Sequence, residues 1–293
     1  MQRRDLPPGV IADIIIPFSS AEEPDWDRLR DEVKTLDQSG VDGISIGGVL
    51  GGAIGATPAE LSALCGAVKR SSSKPLLAIV FPDVSPEGLE MVRAVDEAGA
   101  DAILVGQPHY LAQPAPEGLE EMFADFRGLT SGSLLVADCL HGSMVGVKAI
   151  QKLAEKRLVD GVLAGADIHI LVDLLGLHLE VPVYSGIEDL HYVTLILGAR
   201  GIISNMAAVF PRDFVELYAA VEDRNHSSAR KIHERLVRLW RAANIGTERE
   251  ARLRSALAAR GRNVGAARSP YGRLSPQAGQ QIHSVLEKEG VLA

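Results

Sequence analysis

The sequence predicts an α/β chain closed as a (β/α)8 TIM barrel with a C-terminal three-helix appendage, and three observations carry that expectation. Short apolar, β-rich runs alternate with amphipathic stretches eight times within about 225 residues, close to the roughly 250 usual for this barrel. The runs are continuously apolar, as expected of strands buried on both faces of a parallel sheet. No dinucleotide fingerprint follows the first run, which favours closure over an open doubly wound sheet.

The first run, Val10–Ile16, is interrupted by Asp13 and stopped by Pro17. Gly43–Gly47, Leu76–Phe81, Ala102–Gly106 and Leu134–Cys139 follow, then Gly161–Ala164, Val183–Gly186 and Gly201–Ser204. Between them, Trp26, Leu29, Val33 and Leu36 make a stripe at spacings of three and four. Leu89, Val92, Val95 and Ala98 make another, and Phe214, Leu217 and Val221 a third. Thr57-Pro58-Ala59-Glu60 reads as a capping box with proline at the first helical position, and Ser85-Pro86 as a similar start. Gly40, Gly99 and Gly198 each end a helical pattern just before a strand. After Asn225 the strand signal stops, and His226–Ala243, Thr247–Ala259 and Ser275–Glu289 read as helices. The expected division is a barrel over 1–225 and a helical extension over 226–293, with no linker rich in Pro, Gly or Ser between them.

The 293 residues are 46% apolar and 23% charged, with a net charge of −8. That length can bury a sizeable core. The acidic balance speaks against a nucleic-acid footprint and against a polybasic membrane surface. Cys65 and Cys139 are the only cysteines, without zinc-finger spacing. No signal peptide or transmembrane span is read, so a cytoplasmic protein without nucleic-acid or membrane partners is expected.

Several stretches carry a family resemblance. Gly9-Val10-Ile11 leading to Pro17-Phe18, Gly40-Val41-Asp42-Gly43, and Glu97 to Ala102 resemble the dihydrodipicolinate synthase/N-acetylneuraminate lyase family. So do Pro108-His109-Tyr110 to Leu119, Tyr184-Ser185-Gly186, and Gly198 to Ser204 with Pro211-Arg212. In the tail, Gly265 to Arg268, Pro270, Leu274-Ser275 and Gly290-Val291-Leu292 follow the same pattern, so the resemblance spans essentially the whole chain. It implies a pyruvate-class aldolase barrel, a lyase that assembles as a homo-oligomer (dimer or tetramer), with no cofactor. In such barrels a lysine on the sixth strand forms an imine with a 2-oxo acid and a tyrosine on the fifth moves protons. A Gly-Thr-Thr-Gly-Glu type loop after the second strand holds the substrate carboxylate.

Carried over residue by residue, the resemblance meets departures. The imine-forming lysine falls on Leu163, which has no nucleophile, and no lysine occurs between Lys156 and Lys231. The tyrosine falls on Ala137, and the arginine after the fifth strand falls near Ser143 or Met144. The loop after the second strand reads Gly47-Gly48-Val49-Leu50-Gly51-Gly52, without the threonine hydroxyls. No confident catalytic residue is therefore expected. The expected substrate-binding positions are Gly48, Val49, Leu50 and Gly51, whose backbone N–H groups can cradle an anion, with Tyr110 and Ile203. The alternative for the loop is a tight glycine turn without a ligand, for Tyr110 an interface residue, and for Ile203 core.

The expectation is a divergent family member that binds a small oxo- or hydroxy-carboxylic acid without imine chemistry. A non-catalytic metabolite-binding or structural homologue is the alternative. A metal-assisted lyase or hydrolase comes second, resting on the polar strand-end set Asp83, His109, Asp138, His141, Asp167, His169, Glu188 and His191. No compact metal-ligand spacing appears among these, and no metal site is assigned. Asp138 with His141 can also make an acid/base pair. Strand alternation, however, points Asp138 opposite to Ala137, away from the barrel centre.

Overall fold

Side-chain alternation along the strands separates two apolar cores, one inside the sheet and one outside it. A computed structural model describes residues 6–53, 55–82, 84–106, 114–139, 145–272 and 274–292. Its strands are β1 (Gly9–Asp13), β2 (Gly43–Ile46), β3 (Leu76–Val80), β4 (Ala102–Gly106), β5 (Ser133–Asp138), β6 (Gly161–Ala164), β7 (Val183–Ser185) and β8 (Gly201–Ser204). All pair in parallel in sequence order, and β8 returns to β1 to close the barrel. Ile11, Leu77, Leu104, Leu135, Leu163 and Ile203 face inward and pack on one another. Residues one position away, such as Val10, Ile44, Val136 and Val162, face outward into the shell of helices. Tyr184 fills the N-terminal end of the interior, and its hydroxyl donates to the Leu6 carbonyl at 2.8 Å.

The helices are α1 (Trp26–Gln38), α2 (Pro58–Ser71), α3 (Ser85–Glu97), α4 (Pro116–Leu129), α5 (Val147–Glu155) and α6 (Ile168–Gly176). They continue with α7 (His191–Ile196), α8 (Asn205–Val209), α9 (Pro211–Glu222), α10 (His226–Ala243), α11 (Arg249–Ala259) and α12 (Pro276–Lys288). Gly40, Gly99 and Gly198 follow α1, α3 and α7 with φ of 91°, 91° and 109°, the left-handed stop expected of glycine. Among the described residues no helix is long and apolar enough to cross a membrane.

Four local expectations are corrected. Strand β1 ends at Asp13 rather than Ile16, because β2 stops at Ile46 and turns away at Gly47, whose φ is 110°. The Ile16 N–H instead meets the Gly51 carbonyl at 2.9 Å. At α2, Thr57 accepts from the Glu60 N–H, but the Glu60 carboxylate turns to Arg268 rather than back to the cap. At α3, Val84 is the cap residue and Ser85 lies within the first turn, so no side chain caps that helix. Helix α11 begins at Arg249, two residues later than the apolar pattern suggests, with Glu248 at its cap position.

The C-terminal helices bind back onto the loops that follow β1 and β2. Buried Arg254 donates to Glu250, to the Ile16 carbonyl at 2.9 Å and to the Val264 carbonyl at 3.1 Å. Arg262 pairs with Glu32 on α1, and Arg268 with Glu60 on α2. The guanidiniums of Arg254 and Arg268 also lie over the Phe18 ring, 4.9 and 4.4 Å from its centroid.

Candidate functional site

The C-terminal ends of the strands form a mouth, where active sites of this fold lie. On β1 the alternation that buries Ile11 carries Asp13 inward two residues later, and only 4% of it remains exposed. Asn205, just beyond β8, donates from Nδ2 to the Asp13 carboxylate at 2.7 Å and to the Asp13 carbonyl at 3.0 Å. Ser45 on β2 donates to the same carboxylate at 3.2 Å, and the Gly48 N–H is a further donor. Burial pushes the Asp13 carboxyl up to about 7. The three donors work against that rise, and the negative charge of Glu188 adds to it. A carboxyl poised near neutrality inside a barrel mouth is suited to exchanging a proton with a bound ligand.

A second polar chain stands beside it between β7, β8 and α7. Ser204 donates to both oxygens of Glu188, at 2.8 and 2.6 Å. His191 holds Glu188 through Nε2 at 3.2 Å and faces Ser185 Oγ through Nδ1 at 3.2 Å. Thr194 donates to Ser185 at 2.8 Å. Because Glu188 accepts, the proton is assigned to Nε2, and Nδ1 then accepts from Ser185. The ring packs edge-on to Phe214, 5.5 Å between centroids, so the imidazole is fixed on both sides. This chain positions Glu188 and leaves His191 itself 1% exposed.

Glycine makes much of the remaining wall. A Cβ on Gly47 would lie 2.1 Å from the Ile79 carbonyl, and one on Gly106 would lie 2.2 Å from the Phe81 ring. A Cβ on Gly48 would lie 1.8 Å from Asp13 Oδ2. Val49–Gly51 forms a single 3₁₀ turn, and the Gly51 N–H bonds the Gly48 carbonyl at 3.0 Å. Gly48 thus serves Asp13, while Val49 and Leu50 follow in the turn. Leu163 on β6, Ala137 on β5 and Ile203 on β8 all face the barrel interior, at 6%, 3% and 5% exposure. Leu163 also packs against the position a Cβ on Gly186 would take, 3.0 Å away. Cys139, inward at the end of β5, is a thiol pushed up to about 12 by burial, with Asp138 and Asp13 adding to the rise.

Sequence similarity to the dihydrodipicolinate synthetase family runs over residues 6–289. The chain belongs to this family. It is 28% identical to the 4-hydroxy-tetrahydrodipicolinate synthase of Methanothrix thermoacetophila (strain DSM 6194 / JCM 14653 / NBRC 101360 / PT), over 96% of each chain. A crystal structure of a dihydrodipicolinate synthase superposes with a TM-score of 0.90 at 26% identity, covering 97% of this chain and 100% of the other. A monomeric dihydrodipicolinate synthase variant shares the fold with a TM-score of 0.90 at 23% identity, over 97% of both chains.

Within this family's barrel, the strand-end residues singled out from sequence go separate ways. Asp138 faces outward and accepts the Gly146 N–H at 3.1 Å; burial raises its carboxyl, against the N–H groups of Gly146 and Val145 and with Asp167 adding. Asp167 caps α6 by accepting the His169 N–H at 2.8 Å, and the His169 side chain is exposed. Among the described members of this set, Glu188 and His191 meet. Asp83, His109, Tyr110, His141, Ser143 and Met144 lie outside the described residues. Among the described residues no group of three His, Cys, Asp or Glu side chains gathers as a metal site would. The residues that sequence reading passed over are Asp13, Ser45 and Asn205. Asp13 was visible as the single charge in an apolar strand, two positions from Ile11, and alternation alone places it inside.

Proposed function

We propose that this chain is an imine-free member of its family, a lyase-type barrel that binds a small oxo or hydroxy compound at the mouth. The carrying observation is an exchange of chemistry at the strand ends. The inward position of β6 that the resemblance equates with the imine lysine is Leu163, while an ionisable group within the wall is the β1 carboxyl of Asp13. Leucine cannot attack a carbonyl, and Ala137 cannot relay a proton. A carboxyl near 7 can donate a hydrogen bond to a ligand carbonyl when protonated and accept from a hydroxyl when ionised. Asn205, Ser45 and the Gly48 N–H fix its position. Glu188, in the segment after β7, is held by His191 and Ser204 and adds its negative charge to the rise at Asp13.

The resemblance brings the ligand class, small oxo- or hydroxy-carboxylic acids, and the oxo or hydroxy end of that class is what Asp13 suits. It also brings a homo-oligomer, dimer or tetramer, in a cytoplasmic setting without nucleic-acid or membrane partners. The second reading is a metabolite-binding or structural homologue without turnover, favoured by the simultaneous presence of Leu163 and Ala137 in the interior. The test of the main reading is borohydride reduction of the protein with pyruvate, followed by intact mass. No added mass is expected, and a stable adduct on any lysine overturns the imine-free reading. Turnover that is lost in Asp13→Asn with binding retained separates the enzyme from the binding homologue.

A further inference from the structure

The burial of Asp13 depends on one glycine-rich turn. The Gly48 N–H donates to its carboxylate, and a Cβ on Gly51 would lie 3.9 Å from Asp13 Oδ2 and 3.6 Å from Asn205 Nδ2. Gly51 in turn is held at both polar groups. Its N–H donates to the Gly48 carbonyl at 3.0 Å, and its carbonyl accepts the Ile16 N–H at 2.9 Å. Glycine backbone has little stiffness of its own, so a turn built this way keeps its place through contacts made from outside it.

Buried Arg254, on α11 of the C-terminal extension, makes those contacts. Its Nη1 donates to the carbonyl of Ile16, the residue whose N–H holds Gly51, at 2.9 Å, and to the Val264 carbonyl at 3.1 Å. Val264 also accepts the Phe18 N–H at 3.0 Å, so the segment leaving β1 is tied twice to the extension. On the other edge of the guanidinium, Nε and Nη2 donate to Glu250 at 2.9 and 2.8 Å. Nη2 stands 2.6 Å from where a Cβ on Gly52 would lie, so the group packs directly against the end of the turn. A planar fork serves two carbonyls and a carboxylate at once, which the compact ammonium of a lysine does not. Among the described residues the ionisable groups in electrostatic reach of Asp13 are Glu188 and Cys139, so the charge of Arg254 does not act on it directly. Its route to Asp13 runs through Ile16, Gly51 and Gly48.

Resting on the reading of Asp13 as the acid of the mouth, we propose that Arg254 is a positioning residue for the ligand site, holding the turn after β2 down over Asp13. Releasing that hold lets water reach the carboxyl and relieves the burial that chiefly raises it. The Gly48 donor is lost with it, which acts the other way, but burial is the larger influence.

The carboxyl is read directly by 13C NMR of the full chain labelled at the aspartate side-chain carboxyls, with Asp13→Asn identifying its resonance. The parent midpoint is expected at about 7. It is expected to fall by about one pH unit or more in Arg254→Lys, and likewise in Arg254→Met with Glu250→Leu. The pair removes both buried charges together, which spares the fold where removal of one partner does not. Arg127→Lys is the control, because Arg127 makes the same kind of contacts at the opposite end of the barrel, to Asp160 and to the Thr130 and Gly132 carbonyls. Its loss loosens the chain away from the mouth, and the midpoint should stay where the parent has it. A midpoint unmoved in the Arg254 variants overturns the proposal, and so does an equal fall in Arg127→Lys. A parent midpoint near the ordinary 3.8 overturns it as well, since the carboxyl would then not be covered. Either Arg254 variant decides the matter if the other folds poorly. A borohydride-trapped pyruvate adduct, measured separately, overturns the imine-free reading and leaves the midpoints as they are.

Discussion

At the scale of single residues the unusual group is Asp13. Its carboxyl is raised from 3.8 to about 7 chiefly by burial, so folding takes up a proton in the window between those values. The folded state then binds more protons than the unfolded one, and stability falls as pH rises from about 4 to about 7. Below that window both states are protonated and the penalty is absent; above it the penalty is complete. Asparagine fits the same contacts: its oxygen can accept from Asn205 and Gly48 while its amide donates to Ser45 Oγ. Asp13→Asn is therefore expected to match the parent near pH 4 and to be more stable at pH 8, by up to about 4 kcal/mol. Urea unfolding of both proteins across this range checks it, and a difference that does not change with pH refutes the assignment. The residue was legible in principle, since period-two alternation is the rule that also sends Asp138 outward. Its partners were not, because Ser45 on β2 and Asn205 at the start of α8 lie 32 and 192 residues away and meet it only on closure.

At the scale of elements the informative unit is the loop after β2. Its glycines have packing reasons that can be separated. Gly47 is held at positive φ against the backbone of Ile79, whereas Gly48 is close to a side chain, that of Asp13. Gly47→Ala and Gly48→Ala should each destabilise by about 1–3 kcal/mol. Only the second penalty should shrink when Asp13→Ala is added, with a coupling of about 0.5–3 kcal/mol in a double-mutant cycle read by urea unfolding. Absence of coupling would show that the loop does not rest on Asp13. The strand runs and the glycine stops of the helices could be read from sequence because both are local signals, apolar continuity and φ-permissive punctuation. What escaped was decided by contacts from afar. The Glu60 of the expected capping box is drawn off by Arg268, more than two hundred residues along the chain, and β1 is shortened by the turn of its neighbour at Gly47.

At the scale of the whole molecule, closure of the barrel was legible because it follows from counting eight units, whereas assembly depends on surface that periodicity treats as noise. Helices α6 and α7, in consecutive units of the barrel, leave Val172, Val193 and Ile196 exposed at 44%, 39% and 49%, with Leu177 and Leu197 just past the helix ends. Val193, Ile196 and Leu197 lie at i, i+3 and i+4 on one side of α7. Each such side chain is about half exposed, so covering it contributes roughly 1 kcal/mol. Five of them on each of two copies, joined face to face about a twofold axis, sum to about 10 kcal/mol. That is comparable to the 4–15 kcal/mol or so that association costs, so assembly through this face needs nearly all of it. The homo-oligomer proposed above should therefore be sensitive to small changes here. The parent chain is expected to run as a dimer or tetramer in size-exclusion chromatography with light scattering, and Ile196→Glu with Leu197→Glu to shift it to a smaller species. The substituted residues are exposed, so circular dichroism of the double variant is expected to match the parent. A parent chain that is already monomeric at micromolar concentration removes the assembly from this face, and an unshifted double variant places it elsewhere.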